Sequence, residues 1–221
     1  LMNDIVTEHE AKRKQEFDTL QSQINPHFLY NTLDIIVWMI ENEQKTEAVK
    51  VVTALARFFR ISLSRGKSLI TVKDELEHVR NYLMIQQMRF KNKFTYTIES
   101  DDEVLELASL KLMLQPLVEN AVRHGVTKRE EGGTVRISTS QTALHYLVTI
   151  WDDGVGFDPD RPQEDGRDHV GIENVRSRLA AQCGGSLVIG SRLGLGTVAQ
   201  VRIPKSGKTQ GKENDHANPR G

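Results

Sequence analysis

The chain has 221 residues, 27% of them charged but balanced to a formal net charge of −1, and a single cysteine, Cys183. That length carries one large domain or two modest ones, each able to bury a core. The charge balance excludes bulk nucleic-acid binding, the lone cysteine excludes an intramolecular disulfide framework and fits a reducing compartment, and no apolar run approaches the roughly 20 residues of a bilayer span.

No charged-then-apolar leader follows Leu1, and the charged opening Glu8 to Glu16 runs straight into a helical pattern. This reads as a piece of something longer and leaves room for upstream segments, membrane-spanning ones included. Phe17, Leu20, Ile24 and Phe28 repeat every three or four residues, and Ile35 and Met39 resume the pattern, predicting a helix to about Glu43. Pro26 and His27 fall inside it. An internal proline costs roughly 3 kcal/mol, so His27 is either a surface imidazole on a kinked helix or one presented for chemistry. A second helix from Thr46 to Ser64 lines up Val49, Val52, Leu55, Ala56, Phe59 and Leu63, and Arg65-Gly66-Lys67 breaks it. Two amphipathic helices with a short connection predict an antiparallel hairpin, which completes its core by pairing with a second copy into a four-helix bundle. Trp38, Met39, Phe58 and Phe59 then read as core or dimer interface. Val72 to Phe90 is a third helix.

Past residue 93 glycine becomes frequent and strands enter. Phe94 to Glu99, Thr134 to Ser140 and Tyr146 to Trp151 alternate as strands, and Ser186 to Ile189 and Thr197 to Ile203 close the set. Leu110 to His124 reads as a helix ending at Gly125, and Gly171 to Gln182 as one ending at Gly184-Gly185. The expected class is α+β, with helices on a mixed, mostly antiparallel sheet. Residues 205–221 are polar and aperiodic and read as a disordered tail. Ser206-Gly207-Lys208-Thr209 mimics the end of a phosphate loop, but the required first glycine would be Arg202.

Four stretches of this second half bear chemistry. In Leu117-Val118-Glu119-Asn120-Ala121-Val122-Arg123-His124-Gly125, a carboxamide can give Mg²⁺ a hard oxygen and Glu119 can order a metal-bound water, though Glu-Asn is also an ordinary helical pair. Asp152-Asp153-Gly154-Val155-Gly156 puts a carboxylate at a strand end, suited to accept from an exocyclic amine, before glycines that allow close approach; an Asp-Gly turn explains it equally well. Phe157 to Val170 reads as a mobile loop or lid leading to Gly171, whose position opening a helix would aim amides at phosphates. Gly194-Leu195-Gly196-Thr197 precedes a strand, as simple hairpin chemistry also would.

In this order the stretches resemble the N, G1, F/G2 and terminal Gly-x-Gly-Thr boxes of the GHKL ATPase superfamily, named for gyrase, Hsp90, histidine kinases and MutL. The resemblance covers roughly residues 94–204 and implies an ATP-binding α/β sandwich. Asn120 is similar to the Mg²⁺ ligand, Asp152 to the adenine reader and Thr197 to a residue on the adenine side. Arg123 is similar to a basic phosphate contact, and His124, Gly154, Gly156, Gly171, Gly194 and Gly196 fall among the pocket residues. Gly171-Ile172-Glu173-Asn174 departs from the commoner Gly-x-Gly-Leu form.

Gln23-Ile24-Asn25-Pro26-His27-Phe28-Leu29-Tyr30-Asn31 then resembles the phosphoacceptor box of the LytS/YesM-like histidine kinases. Leu117 to Ala121 and Glu173 to Leu179 fit the same group. The resemblance implies an autokinase that phosphorylates His27 from Mg·ATP and passes the phosphoryl group to a response-regulator aspartate. It further implies a homodimer through a helical region at residues 1–93, a catalytic domain at 94–204, no direct nucleic-acid contact, and the cytoplasmic portion of a membrane sensor. Phe28 stands where the commonest histidine kinases carry an acid, which leaves the base for His27 unassigned. A GHKL ATPase or serine kinase with His27 incidental, or a non-catalytic dimeric scaffold, are the competing classes.

Overall fold

The computed structural model describes residues 26–63, 68–91, 93–158 and 166–205. The apolar face of the first segment forms α1 (Pro26–Glu41), burying Phe28, Thr32, Ile36 and Met39 at helical spacing. Pro26 heads this part of α1. The turn before it, needed for the expected kink, lies outside the described residues, as do Phe17, Leu20, Ile24, the Arg65-Gly66-Lys67 break and the 206–221 tail. A tight connection follows, with Glu43 in the left-handed region (φ 59) and the Gln44 amide donating to the Met39 carbonyl. The chain turns back into α2 (Lys45–Ser62) as the expected hairpin.

The face that α2 buries is not the stripe expected from its periodicity. Ala48, Val51, Ala54, Leu55 and Phe58 point inward, whereas Val49 and Val52 are 65% and 49% exposed. Residues 49, 52, 56, 59 and 63 form a second apolar face beside the first, which is why either could be picked from sequence. Helix α1 has the same double character, since Tyr30, Leu33, Val37 and Ile40 form an exposed stripe opposite its buried one.

The short strand β1 (Leu69–Thr71) leads into α3 (Val72–Arg89), capped by the Thr71 hydroxyl accepting from the Asp74 amide. Buried nearly all round, α3 packs on α2 with one side and on the sheet and later helices with the other. Its aromatic contacts reach the hairpin. The Phe28 and Phe58 rings lie 4.9 Å apart, Phe58 stacks on His78 at 4.2 Å, and Tyr82 lies 5.4 Å from Phe28.

The second half holds β2 (Phe94–Glu99), α4 (Asp102–Leu105), β3 (Ala108–Leu110), α5 (Leu114–Asn120), β4 (Gly133–Gln141), β5 (His145–Asp152), α6 (Gly166–Cys183), β6 (Ser186–Arg192) and β7 (Gly196–Pro204). β1 pairs with β3, and the remaining strands form one sheet in the order β2-β4-β5-β7-β6. Only β2 and β4 in that sheet run parallel. Alternation sorts its faces: Tyr146, Val148, Ile150 and Asp152 of β5 point into the core with Val135 and Ile137 of β4 and Val201 and Ile203 of β7. The mixed, mostly antiparallel sheet is as expected. Three-residue β1 and β3 and four-residue α4 are not, because elements so short show no period.

Two expected helix boundaries move. Leu110 ends β3 rather than starting a helix, and α5 begins only at Leu114. The cause is Glu75 of α3: its Oε1 accepts from the Leu112 amide and its Oε2 from those of Met113 and Leu114, both at 3.0 Å, so a remote side chain caps the α5 N-terminus. Gly171 does not open a helix either, for α6 starts at Gly166 and holds Gly171 in its interior. A mid-helix glycine costs about 1 kcal/mol against alanine without stopping the helix. A Cβ there would meet only the Pro116 side chain, at 3.6 Å.

Burial pushes the Glu75 carboxyl up to about 7 against the three amides and Arg178, which favour the charged form. A folded-state pKa above the unfolded value stabilises fully below pH 4.5, and that stabilisation is lost as pH rises through about 7. The lead in stability of wild type over Glu75→Gln is therefore expected to shrink from pH 5 to pH 8, by about 2–3 kcal/mol. Chemical denaturation of both proteins at several pH values checks this, because titrating groups remote from Glu75 are common to both and cancel.

Candidate functional site

Helix α5 does not end cleanly. After Asn120 its backbone widens into a π-helical turn, Ala121–Gly125, and then tightens into a 3₁₀ turn, Val126–Lys128. Such irregular turns are concentrated at functional sites. Here the turn runs past the ends of β5 and β7, and the three elements with α6 and β6 enclose a cavity of about 250 Å³. Leu117, Ala121, Ile150, Phe157, Ile172, Ile189 and Ala199 give it apolar walls, while Asn120, His124, Asp152 and Thr197 are its polar points, with Gly125 and Gly156 completing the lining.

Asp152 is 2% exposed, yet it ends a strand whose inward positions are otherwise apolar. Its Oδ1 accepts from the Gly154 amide at 2.9 Å. Burial, helped by the neighbouring Asp153 charge, pushes the carboxyl up to about 6 against the amides of Gly154 and Thr197. Packing fixes its orientation: a Cβ on Gly125 would stand 2.6 Å from Oδ1, and one on Gly154 would overlap the Gly125 backbone. Gly156 (φ +60) and Gly196 (φ +92) occupy the left-handed region, and a side chain on either would strike the carbonyl of Arg192 or Asp152. Ser191 ties these loops together, accepting from the Phe157 amide at 2.9 Å, donating to the Gly196 carbonyl at 3.0 Å and lying 3.0 Å from the Thr197 hydroxyl.

On the α5 side, the Gln115 amide donates to Glu119 Oε1 at 2.9 Å and accepts at Oε1 from His78 Nε2, also at 2.9 Å. An amide oxygen only accepts, so Nε2 of His78 carries the proton. Burial lowers the His78 pKa and keeps the ring neutral, despite the Gln115 bond. The aromatic stack of the hairpin is thereby joined through His78 and Gln115 to the residue beside Asn120.

Of the site residues expected from sequence, the cavity gathers Asn120, His124, Asp152, Gly156 and Thr197. Glu119 sits next to it, held by Gln115. Gly154 and Gly196 stand behind the lining and shape Asp152 rather than touching the cavity. Arg123 is exposed on the π turn, Gly194 is at the β6–β7 tip, where an added Cβ would meet nothing within 4 Å, and Gly171 lies within α6. His27 is on the exposed side of α1 and does not line the cavity. Glu75, His78, Gln115 and Ser191 join the site's surroundings without having been expected there. The first two leave a trace in the sequence, as polar residues three apart on the buried side of α3.

The cavity can hold a flat aromatic ring between apolar walls, with a buried carboxylate to accept from its edge. Asn120 offers one hard oxygen. Among the described residues no group of three or more His, Cys, Asp or Glu can hold a metal ion. A Mg²⁺ ion held by Asn120 would draw its other ligands from hard oxygens of a bound ligand and from water. Among the described residues no helix is long and apolar enough to cross a membrane.

Comparison with known proteins gives two family matches in tandem: residues 15–94 match the histidine kinase model, and residues 106–207 the model of histidine kinase-, DNA gyrase B- and HSP90-like ATPases. The chain is 34% identical over 206 residues to sensor histidine kinase YesM of Bacillus subtilis, covering 92% of this chain and 36% of YesM. It is 32% identical over 212 residues to sensor protein kinase HptS of Staphylococcus aureus, covering 90% and 40%. The chain thus spans well under half of these relatives. Among solved structures, the histidine kinase domain from Erythrobacter litoralis EL346 superposes with a TM-score of 0.51 at 19% identity, covering 89% of this chain and 96% of that one. That likeness shows the fold.

Proposed function

Since the chain belongs to the histidine kinase family, and its second region to the ATP-binding domain shared with gyrase B and HSP90, we propose that it is an autokinase of a two-component system. His27 takes the γ-phosphoryl group of ATP and a response-regulator aspartate receives it. The observation that carries this reading is the pairing of an exposed imidazole on a helix with a separate apolar cavity ending in a buried carboxylate. Phosphoryl transfer to histidine is a problem of positioning and charge neutralisation, so a nucleotide pocket and a presented acceptor are the parts it requires.

In this reading Asp152 accepts from the exocyclic amine of adenine and Leu117, Ile150, Ile172 and Ile189 sandwich the ring. Asn120 holds Mg²⁺, which when bound neutralises phosphate charge, and Glu119 orders water near it. Arg123 and His124 lie on the turn beside Asn120, where phosphates would run. Residues 1–93 form the dimerising and phosphoacceptor region and residues 94–204 the catalytic one, with α3 of the first packed on β2 and α5 of the second. The exposed stripes Tyr30, Leu33, Val37, Ile40 and Val49, Val52 supply a seam for a second hairpin, at the three- and four-residue spacing a bundle uses. We place the chain in the cytoplasmic portion of a sensor whose membrane segment lies elsewhere in the protein.

Incubation with γ-labelled ATP is expected to give acid-labile, alkali-stable label; acid-stable label on serine would overturn the reading. Asn120→Asp retains an oxygen but alters charge and geometry at the Mg²⁺ position. Calorimetry is expected to show Mg²⁺-dependent ATP binding weakened by about tenfold or more. Equal affinity in the two proteins would remove Asn120 from the metal site.

A further inference from the structure

The amide nitrogen of Asn31 lies 3.1 Å from Nδ1 of His27, one helical turn away. Among the described residues no other hydrogen-bonds this ring. Phe28, which follows His27, is unavailable to serve it, being 5% exposed and packed on Phe58 and Tyr82. Nδ1 thus faces its own helix and Asn31, and the remaining ring nitrogen, Nε2, is the one left for an incoming electrophile.

Resting on the reading of His27 as phosphoacceptor, we propose that Asn31 is a positioning residue that occupies Nδ1 and sets the tautomer in which Nε2 attacks. The two ends of a carboxamide are nearly equal in size, so a half-turn about Cβ–Cγ exchanges donor for acceptor without moving the helix. With the nitrogen toward the ring, Asn31 donates to Nδ1, the proton sits on Nε2, and Nε2 has no lone pair to give. With Oδ1 toward the ring, Asn31 accepts from Nδ1–H and the Nε2 lone pair is free. That pair forms the new N–P bond as the bond from the γ-phosphorus to the β,γ-bridging oxygen breaks, and ADP leaves with its electrons. Positive charge develops on the ring while Oδ1 holds the Nδ1 proton, which then passes to water. A neutral amide orients the imidazole and softens that charge; it does not have to be the base.

Single-turnover labelling of wild type, Asn31→Ala, Asn31→Asp and His27→Gln tests this, with NMR assignment of the phosphorylated nitrogen. Asn31→Ala is expected to slow phosphorylation about 10–100-fold, leave the KM for ATP unchanged and yield detectable Nδ1-phosphohistidine. Asn31→Asp, which keeps an acceptor oxygen at the same place, is expected to restore the rate to the wild-type value or above, with label on Nε2 alone. A wild-type rate and pure Nε2 label in Asn31→Ala would overturn the proposal. So would an Asn31→Asp protein as slow as Asn31→Ala, which would point to a merely structural side chain. Label persisting in His27→Gln would instead sink the parent reading.

Discussion

His27→Gln is expected to lose the acid-labile phosphoryl label to background, a fall of more than about 10³-fold, while ATP affinity stays within about twofold of wild type. The separation of effects follows from position. His27 is exposed on α1 and does not line the cavity, and its one hydrogen bond among the described residues is to Asn31. Glutamine keeps polarity and helix propensity, so the change in stability should stay near the roughly ±0.5 kcal/mol usual for surface sites. What disappears is the ring nitrogen, for a carboxamide has no lone pair basic enough to form a stable N–P bond. Gel autoradiography after acid and alkali treatment, with calorimetry for ATP, reads both halves. Undiminished label would mean that another residue is the acceptor.

Asp152→Asn should produce the mirror image, damaging binding and with it all later steps. One carboxylate oxygen already accepts from the Gly154 amide. If the asparagine oxygen keeps that bond, its amino group must face the cavity, donor against donor with an adenine amine. An unmatched buried polar pair costs about 2–3 kcal/mol, which weakens ATP about 30–150-fold. Acidification should do the same in the wild type. With the carboxyl pushed up to about 6, the accepting anion is the major form at pH 7.5 and the minor one at pH 5, so ATP affinity should fall across that interval. Calorimetric titrations of both proteins at pH 7.5 and 5 measure the two effects. Asp152→Asn binding ATP as tightly as wild type would remove Asp152 from base recognition.

How much of this is legible in the sequence depends on how local the cause is. Strand β2 is readable at its observed limits and β4, β5 and β7 to within a residue or two, since alternation is a property of the strand itself. Asn120, Asp152 and Thr197 are found through the order of their boxes and do meet in one cavity. The start of α5 is misread from sequence because Glu75, 39 residues before Leu114, decides it. The inward face of α2 is misread because two adjacent apolar stripes compete and only tertiary packing chooses between them. Gly171 passes for a helix opening because glycine is a weak stop, and the chain around it is helical. The apolar cavity walls are hidden for a similar reason: Leu117, Ile150 and Ala199 look like any core residues until their neighbours leave a space.

The lone parallel pairing in the sheet has a consequence for how the chain reaches its native state. β2 and β4 are neighbours in space, but α4, β3 and α5 with its irregular turns lie between them in sequence. Their pairing therefore needs a long loop closed before any of its hydrogen bonds can form, a slow step compared with the β6–β7 hairpin. That loop contains Asn120 and one wall of the cavity. A refolding chain should gain secondary structure in its hairpins early and become able to hold a nucleotide only when the crossover closes.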